Sequence, residues 1–439
     1  MMKRQNPNEQ KNSEPNGRYL LSYREQRYAA VRQIIPDIRV RFRSKVAPDC
    51  LRNAVKAALD VHPLFRTRLI RDGGLYCLVP NGAEVVILEE QWETPTVFGT
   101  AETGFFPWVI TCSDDVMLFT ASHALSDAGG FMAFLKTVLV LYLRERGVVF
   151  PERVINDATE RKTDHDERDP YLLFASLPAD PPGIPRFAPA SSLPDDAFET
   201  DARKVSTYKV TFDLDEVKKA AGESETSQFS VMACLLARAA ENAFEMNEGS
   251  IEVRVPVDLR TRFSFATERN FVYGFSLHYD VKKMKNLPND RVETAFRSQF
   301  DLYTDKDNLI GKMKREREKY DDLLRHPERL DAMPLESETV IKPTVRITYS
   351  HMTHIGFADE LENELLEFEN VGGRRADRHL LFTAMTRQSK IEFAVQQSTK
   401  GDRLIHALEE EAAKRGFGCR VEKQFSRPFT VYRPEGLEK

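Results

Sequence analysis

The apolar positions of this chain fall into two kinds of run. The segment Ile38-Arg39-Val40-Arg41-Phe42-Arg43 alternates apolar and cationic residues, the period of a strand with one face in a core and one in water. By contrast, Val116-Met117-Leu118-Phe119-Thr120-Ala121 is largely apolar and predicts a buried strand. Phe131-Met132-Ala133-Phe134-Leu135, continuing through Leu139 and Leu141-Tyr142-Leu143, predicts a helix of about four turns. A tight turn carrying His123 joins these two elements, with Asp127 four residues on and Gly129-Gly130 close behind. A helix is expected over 50–61, with Asp49 as its cap, Ala54, Val55, Ala58 and Leu59 as its apolar stripe, and Pro63 as its stop. A hairpin strand follows Gly73-Gly74.

Later in the chain, strands are expected at 206–212, 251–257, 345–349, 380–385 and 390–395, and helices at 214–221, 228–244 and 402–415. Residues 311–330 mix Lys and Arg with Glu and Asp, the pattern of a solvated helix face rather than a nucleic-acid patch. The fold class is therefore α/β. Its expected division is a polar, disordered N-terminus at 1–17, a first subdomain at 18–155, a Pro- and Asp-rich crossover at 156–204 and a second subdomain at 205–439.

Composition narrows the function. The chain has 439 residues, too many for one ordinary core and enough for two of about 200 each. A net charge of -5 argues against a large nucleic-acid footprint, which needs concentrated positive charge. The five cysteines are scattered and form no Cys-x-x-Cys pair, so no disulfide framework is expected and a cytoplasmic location is the default. The first 17 residues lack the apolar stretch of a signal peptide, and no run of eighteen apolar residues predicts a transmembrane segment.

Imidazole is the side chain best suited to proton transfer near neutral pH, and a turn at a strand end can aim it into a cavity. His123 is thus the first candidate for chemistry, although a histidine near an apolar run is more often a satisfied core or surface group. His-x-x-x-Asp could also hold two metal ligands, but no third ligand lies nearby and no metal is expected. His351 and His354 are a second pair open to the same reading. Ser122 precedes His123 directly; neighbours on a strand point to opposite faces, which argues against a Ser-His nucleophile.

Four stretches, in this order, resemble the coenzyme-A-dependent acyltransferase superfamily, which includes chloramphenicol acetyltransferase, alcohol acetyltransferases and the condensation domains of peptide synthetases. His62-Pro63-Leu64-Phe65-Arg66-Thr67-Arg68-Leu69 is similar to its early His-Pro segment. Ser122 to Gly130 resembles its His-His-x-x-x-Asp-Gly motif, with Ser122 and Ala128 as departures. Val255-Pro256-Val257-Asp258-Leu259-Arg260, followed by Asn270-Phe271-Val272-Tyr273-Gly274, resembles its Asp-Leu-Arg stretch. Thr353-His354-Ile355-Gly356 is a divergent match to a fourth element.

The resemblance implies two chloramphenicol-acetyltransferase-like sandwich subdomains with a tunnel between them. It implies acyl transfer from a thioester to a hydroxyl or amine on a small or lipid-like acceptor, with His123 as general base. It also implies an ion pair between Asp127 and Arg260 that supports the site. Gly129 is expected to take over the role of the missing glycine, since an alanine at 128 is costly if the turn needs positive φ there. Thr353 is a candidate oxyanion contact. Acyl-CoA is the implied co-substrate, with no permanently bound cofactor. Two alternatives stay open: a condensation-type domain fed by separate carrier proteins, and a non-catalytic binder on the same fold.

Overall fold

A computed structural model describes residues 18–90, 96–160, 168–181, 183–193, 197–199, 206–335, 344–352, 356–371, 380–424 and 430–437. The first half is built on a five-stranded sheet in the order Leu365–Asn370, Ile34–Phe42, Val116–Ser122, Trp108–Ser113 and Ile87–Glu89. Val116–Ser122 is central in it and buried along almost its whole length, which is why it carries no polar alternation. Helix Ala128–Glu145 lies on this sheet and against helix Pro48–Val61. Phe119, Phe131, Phe134, Leu135 and Val138 are fully buried in that layer. Phe65, from the His-Pro segment, stacks on Phe134 with centroids 4.3 Å apart.

Helix Pro48–Val61 starts earlier than the apolar stripe indicates. Its cap position is Ala47, which makes no side-chain cap bond, and Pro48 occupies the first turn. Proline suits that position because its fixed φ is helical and its missing N–H would have no partner there. Asp49 is inside the first turn and pairs with Arg52 at 2.5 Å rather than capping the helix.

The second half carries a seven-stranded sheet in the order Val272–Asp280, Ser250–Asp258, Arg346–Met352, Leu380–Arg387, Lys390–Gln397, Ser206–Asp213 and Cys419–Gln424. Helix Gln228–Ala243, buried on nearly every side, packs against it with Arg403–Lys414 and Asn289–Thr304. The charged stretch after residue 305 forms helix Lys306–Arg325, which packs on helix Pro170–Ala175 of the expected crossover.

The two halves exchange chain. Strand Leu365–Asn370 comes from beyond residue 205 yet pairs antiparallel with Ile34–Phe42 in the first sheet. The alternating arginines explain the match: Arg39 lies 3.3 Å from Glu369, and Arg41 lies 3.2 Å from Glu367. The polar face is thus matched by the carboxylates of the neighbouring strand, which lie beside the arginines on the same face of the sheet. The range 205–439 is therefore continuous in sequence but not confined to one half. A third apolar cluster, containing Tyr171, Leu259, Phe271, Leu309 and Met313, joins the crossover helix to the second half. No helix among the described residues is long and apolar enough to cross a membrane.

Candidate active site

The strand Val116–Ser122 ends where its Ser122 amide bonds the Pro107 carbonyl, and the next amide, that of His123, donates to the Gln33 carbonyl at 2.8 Å. The chain then turns and re-enters a helix at Ala128, because Asp127 caps it. Asp127 Oδ1 accepts from the amides of Gly129 at 3.0 Å and Gly130 at 3.4 Å. Within this turn His123 Nδ1 donates to the Ser126 carbonyl at 2.9 Å. A carbonyl can only accept, so Nδ1 carries the proton and Nε2 carries the basic lone pair of the neutral ring. The ring is half-buried and lies flat on Tyr28, with centroids 4.1 Å apart and planes at 5°.

The second half grips this turn through the segment Asp258–Phe271. Arg260 reaches Asp127 with both terminal nitrogens, Nη2 to Oδ1 at 2.8 Å and Nη1 to Oδ2 at 3.1 Å. The Phe271 amide donates to the same carboxylate at 2.7 Å. Asp127 is 1% exposed, so these bonds are what make its burial tolerable. Burial opposes the charge on Arg260, but Asp127 and Asp258 outweigh it and raise the guanidinium above its ordinary value. The Arg260 guanidinium also donates to the carbonyls of Thr267 at 2.9 Å and Arg269 at 2.7 Å. Asn270 Nδ2 holds the His123 carbonyl at 3.0 Å.

Two further pairs join the halves at the same place. His62 Nδ1 meets Glu268 Oε1 at 2.5 Å, and its Nε2 meets the Thr137 hydroxyl at 2.8 Å. Arg269 pairs with Glu25, both 1% exposed. The Ser126 hydroxyl donates to the Glu268 carbonyl, so this segment also fixes the residue whose own carbonyl orients His123. A cavity of about 380 Å³ lies beyond Arg260, lined by Arg262, Phe263, Thr304, Asp305 and Lys306 among others, and does not include His123.

No protein-family model and no curated protein matches this chain. Solved structures do. TRI101 from F. graminearum, complexed with coenzyme A and deoxynivalenol, is 12% identical with a TM-score of 0.61, over 92% of this chain and 99% of its own. Polyketide synthase associated protein 5 from Mycobacterium tuberculosis is 13% identical with a TM-score of 0.56, over 89% of this chain and 96% of its own. The X-domain from teicoplanin biosynthesis is 14% identical with a TM-score of 0.50, over 90% and 95%. The chain has the two-subdomain, chloramphenicol-acetyltransferase-like fold. At these identities the likeness is one of fold alone.

Within this acyltransferase-type fold, His123, Asp127, Gly129 and Arg260 come together. Ala128 is the first residue of its helix and has no positive φ, so alanine is unstrained there, and Gly129 and Gly130 supply no positive φ either. They are needed for close approach. A Cβ on Gly129 would sit 3.0 Å from Arg260 Nη1, and one on Gly130 would collide with the Ser126 hydroxyl and the Glu268 carbonyl. Ser122 is buried, and its hydroxyl accepts from the Ala124 amide at 3.3 Å. His351 spends both ring nitrogens on Tyr349 and Thr386, and burial pushes it down to about 4. Thr353 and His354 lie outside the described residues.

Sequence reasoning missed Tyr28, Glu25, Arg269 and the pairing of His62 with Glu268. Only His62 carried a signal, through the His-Pro segment, and that signal named no partner.

Proposed function

We propose that this protein transfers an acyl group from a thioester, acyl-CoA in the first instance, to a hydroxyl or amine of a small or lipid-like acceptor. The observation that supports the reading is the Nδ1 bond to the Ser126 carbonyl, which leaves Nε2 as the proton-accepting nitrogen of a half-buried ring. Nε2 of His123 takes the acceptor's proton as the acceptor oxygen or nitrogen bonds to the acyl carbon. The tetrahedral intermediate then collapses, the C–S bond breaks, and the imidazolium returns the proton to the departing thiolate. Asp127 and Arg260 do not touch substrate; they hold the turn. The oxyanion contact is assigned to Thr353 by its position in the sequence, and Thr353→Ala should lower kcat by about ten- to a thousandfold if it is the donor.

The test is release of free thiol from short and medium acyl-CoA with a panel of alcohols and amines. Turnover should fall about 10²- to 10⁴-fold in His123→Ala. Equal background in wild type and variant with every acceptor would favour a non-catalytic binder. A second reading, in which a carrier protein delivers the acyl group, draws on the resemblance of the sequence motifs to peptide-synthetase condensation domains. Comparing transfer from coenzyme A with transfer from a loaded carrier protein separates the two.

A further inference from the structure

The flat contact between Tyr28 and His123 is firmly held. Tyr28 belongs to helix Tyr23–Ala30, which begins in a capping box between Ser22 and Glu25. Glu25 is fixed to Arg269 of the second half. One turn before Tyr28, Arg24 sits 4.2 Å over the ring of Tyr273 and lies 3.4 Å from Glu316. The helix that presents Tyr28 is therefore pinned to the same second-half elements that grip the turn.

The face of a phenol ring carries negative potential and attracts a cation placed over it; a neutral ring in the same place gains much less. The charged groups around the turn are Asp127 with Arg260, which also holds Asp258; Glu25 with Arg269, beside buried Asp169; Arg24 with Glu316; and Glu268 against His62. The groups of Gln33, Ser126 and Asn270 that touch His123 are neutral. When the imidazole takes a proton, both the Nδ1 bond to the Ser126 carbonyl and the ring stack strengthen, and the ring stack is the one that a side-chain substitution can remove.

We propose that Tyr28 is a positioning residue for His123: its ring face fixes the imidazole plane and favours the imidazolium that forms during acyl transfer. The inference rests on His123 as general base, but its main test does not use turnover. The His123 ring signal, assigned by its loss in His123→Ala, is followed by NMR across pH in the full chain. In Tyr28→Leu the titration midpoint should fall by about half to one pH unit. Tyr28→Phe, which keeps the ring face, should recover that shift.

In turnover, the acidic limb of kcat/KM should move to lower pH by the same amount in Tyr28→Leu, with the plateau about three- to tenfold lower. Tyr28→Met, which fills much of the volume without a π face, is titrated alongside, with melting temperatures for all three. It should behave as Tyr28→Leu does, so that a packing defect peculiar to one variant does not decide the result. A midpoint unchanged or raised in both Leu and Met variants overturns the proposal. A lowered midpoint in a protein that shows no acyl transfer would keep the coupling and remove the reaction.

Discussion

Two histidines of the first half meet the same short segment of the second half and end in different states. His62 is 6% exposed, with one ring nitrogen against the Glu268 carboxylate and the other against the Thr137 hydroxyl. It sits edge-on to Phe65 and Phe134, inside the aromatic layer of the core. His123 is half-buried, and its contacts include a backbone carbonyl at Nδ1 and the flat face of Tyr28. The segment that meets the His62 ring through a side chain holds His123 by its main chain, through Asn270 on its carbonyl. The two motif histidines thus meet one strip of contact differently, His62 through both ring nitrogens and His123 through Nδ1 and its main-chain carbonyl.

The widest separation between the two should come from alanine at each. His123→Ala should lose about 10²- to 10⁴-fold in turnover with an unchanged melting temperature. His62→Ala removes a buried ring together with its bonds to Glu268 and Thr137 and should lose about 3–5 kcal/mol of stability, read by denaturant unfolding. If instead His62→Ala melts like wild type and abolishes turnover, the roles given to the two rings are reversed.

Next in size is the support of the turn. Arg260→Ala strands buried Asp127 and should also cost about 3–5 kcal/mol, whereas Asp127→Ala leaves Arg260 its bond to Asp258 at 3.0 Å and should cost less, with activity falling in both as the turn loosens. The double variant should be less than additive, because both singles remove the same bond.

How much of this strip was legible in the sequence depends on where each partner lies. Asp127 and Arg260 stand in two short patterns whose joint occurrence points to one architecture. Glu268 and Arg269 stand in no pattern. Their partners, His62 and Glu25, are 206 and 244 residues away, and a glutamate in the first turn of a helix reads as a solvated residue. Periodicity located most strands and helices to within a few residues. It gave no sign of strand Leu365–Asn370, whose polar residues suggest a loop until the arginines opposite them are seen.

A smaller effect should appear against pH. Asp169 faces the same segment from the crossover side. Burial raises its carboxyl to about 6, with Arg269 opposing and Glu25 adding to the rise. A raised folded-state value favours the protonated form. Its stabilising contribution is therefore complete below the ordinary carboxylate range and lost as pH rises through about 6, about 3 kcal/mol in all. Asp169→Asn should flatten that window in unfolding curves taken between pH 4 and 7. The least change should follow Ala128→Gly, about 0.5–1 kcal/mol of destabilisation from helix propensity, with turnover kept.

The strand exchange bears on how the chain is made. The partner that covers strand Ile34–Phe42 arrives 330 residues later. During synthesis that edge stays open, its main-chain donors and acceptors available to any other extended polypeptide, until the chain through Asn370 has left the ribosome. Its arginines repel a second copy of themselves. The same charges that later attract Glu367 and Glu369 thus guard the nascent sheet against self-association.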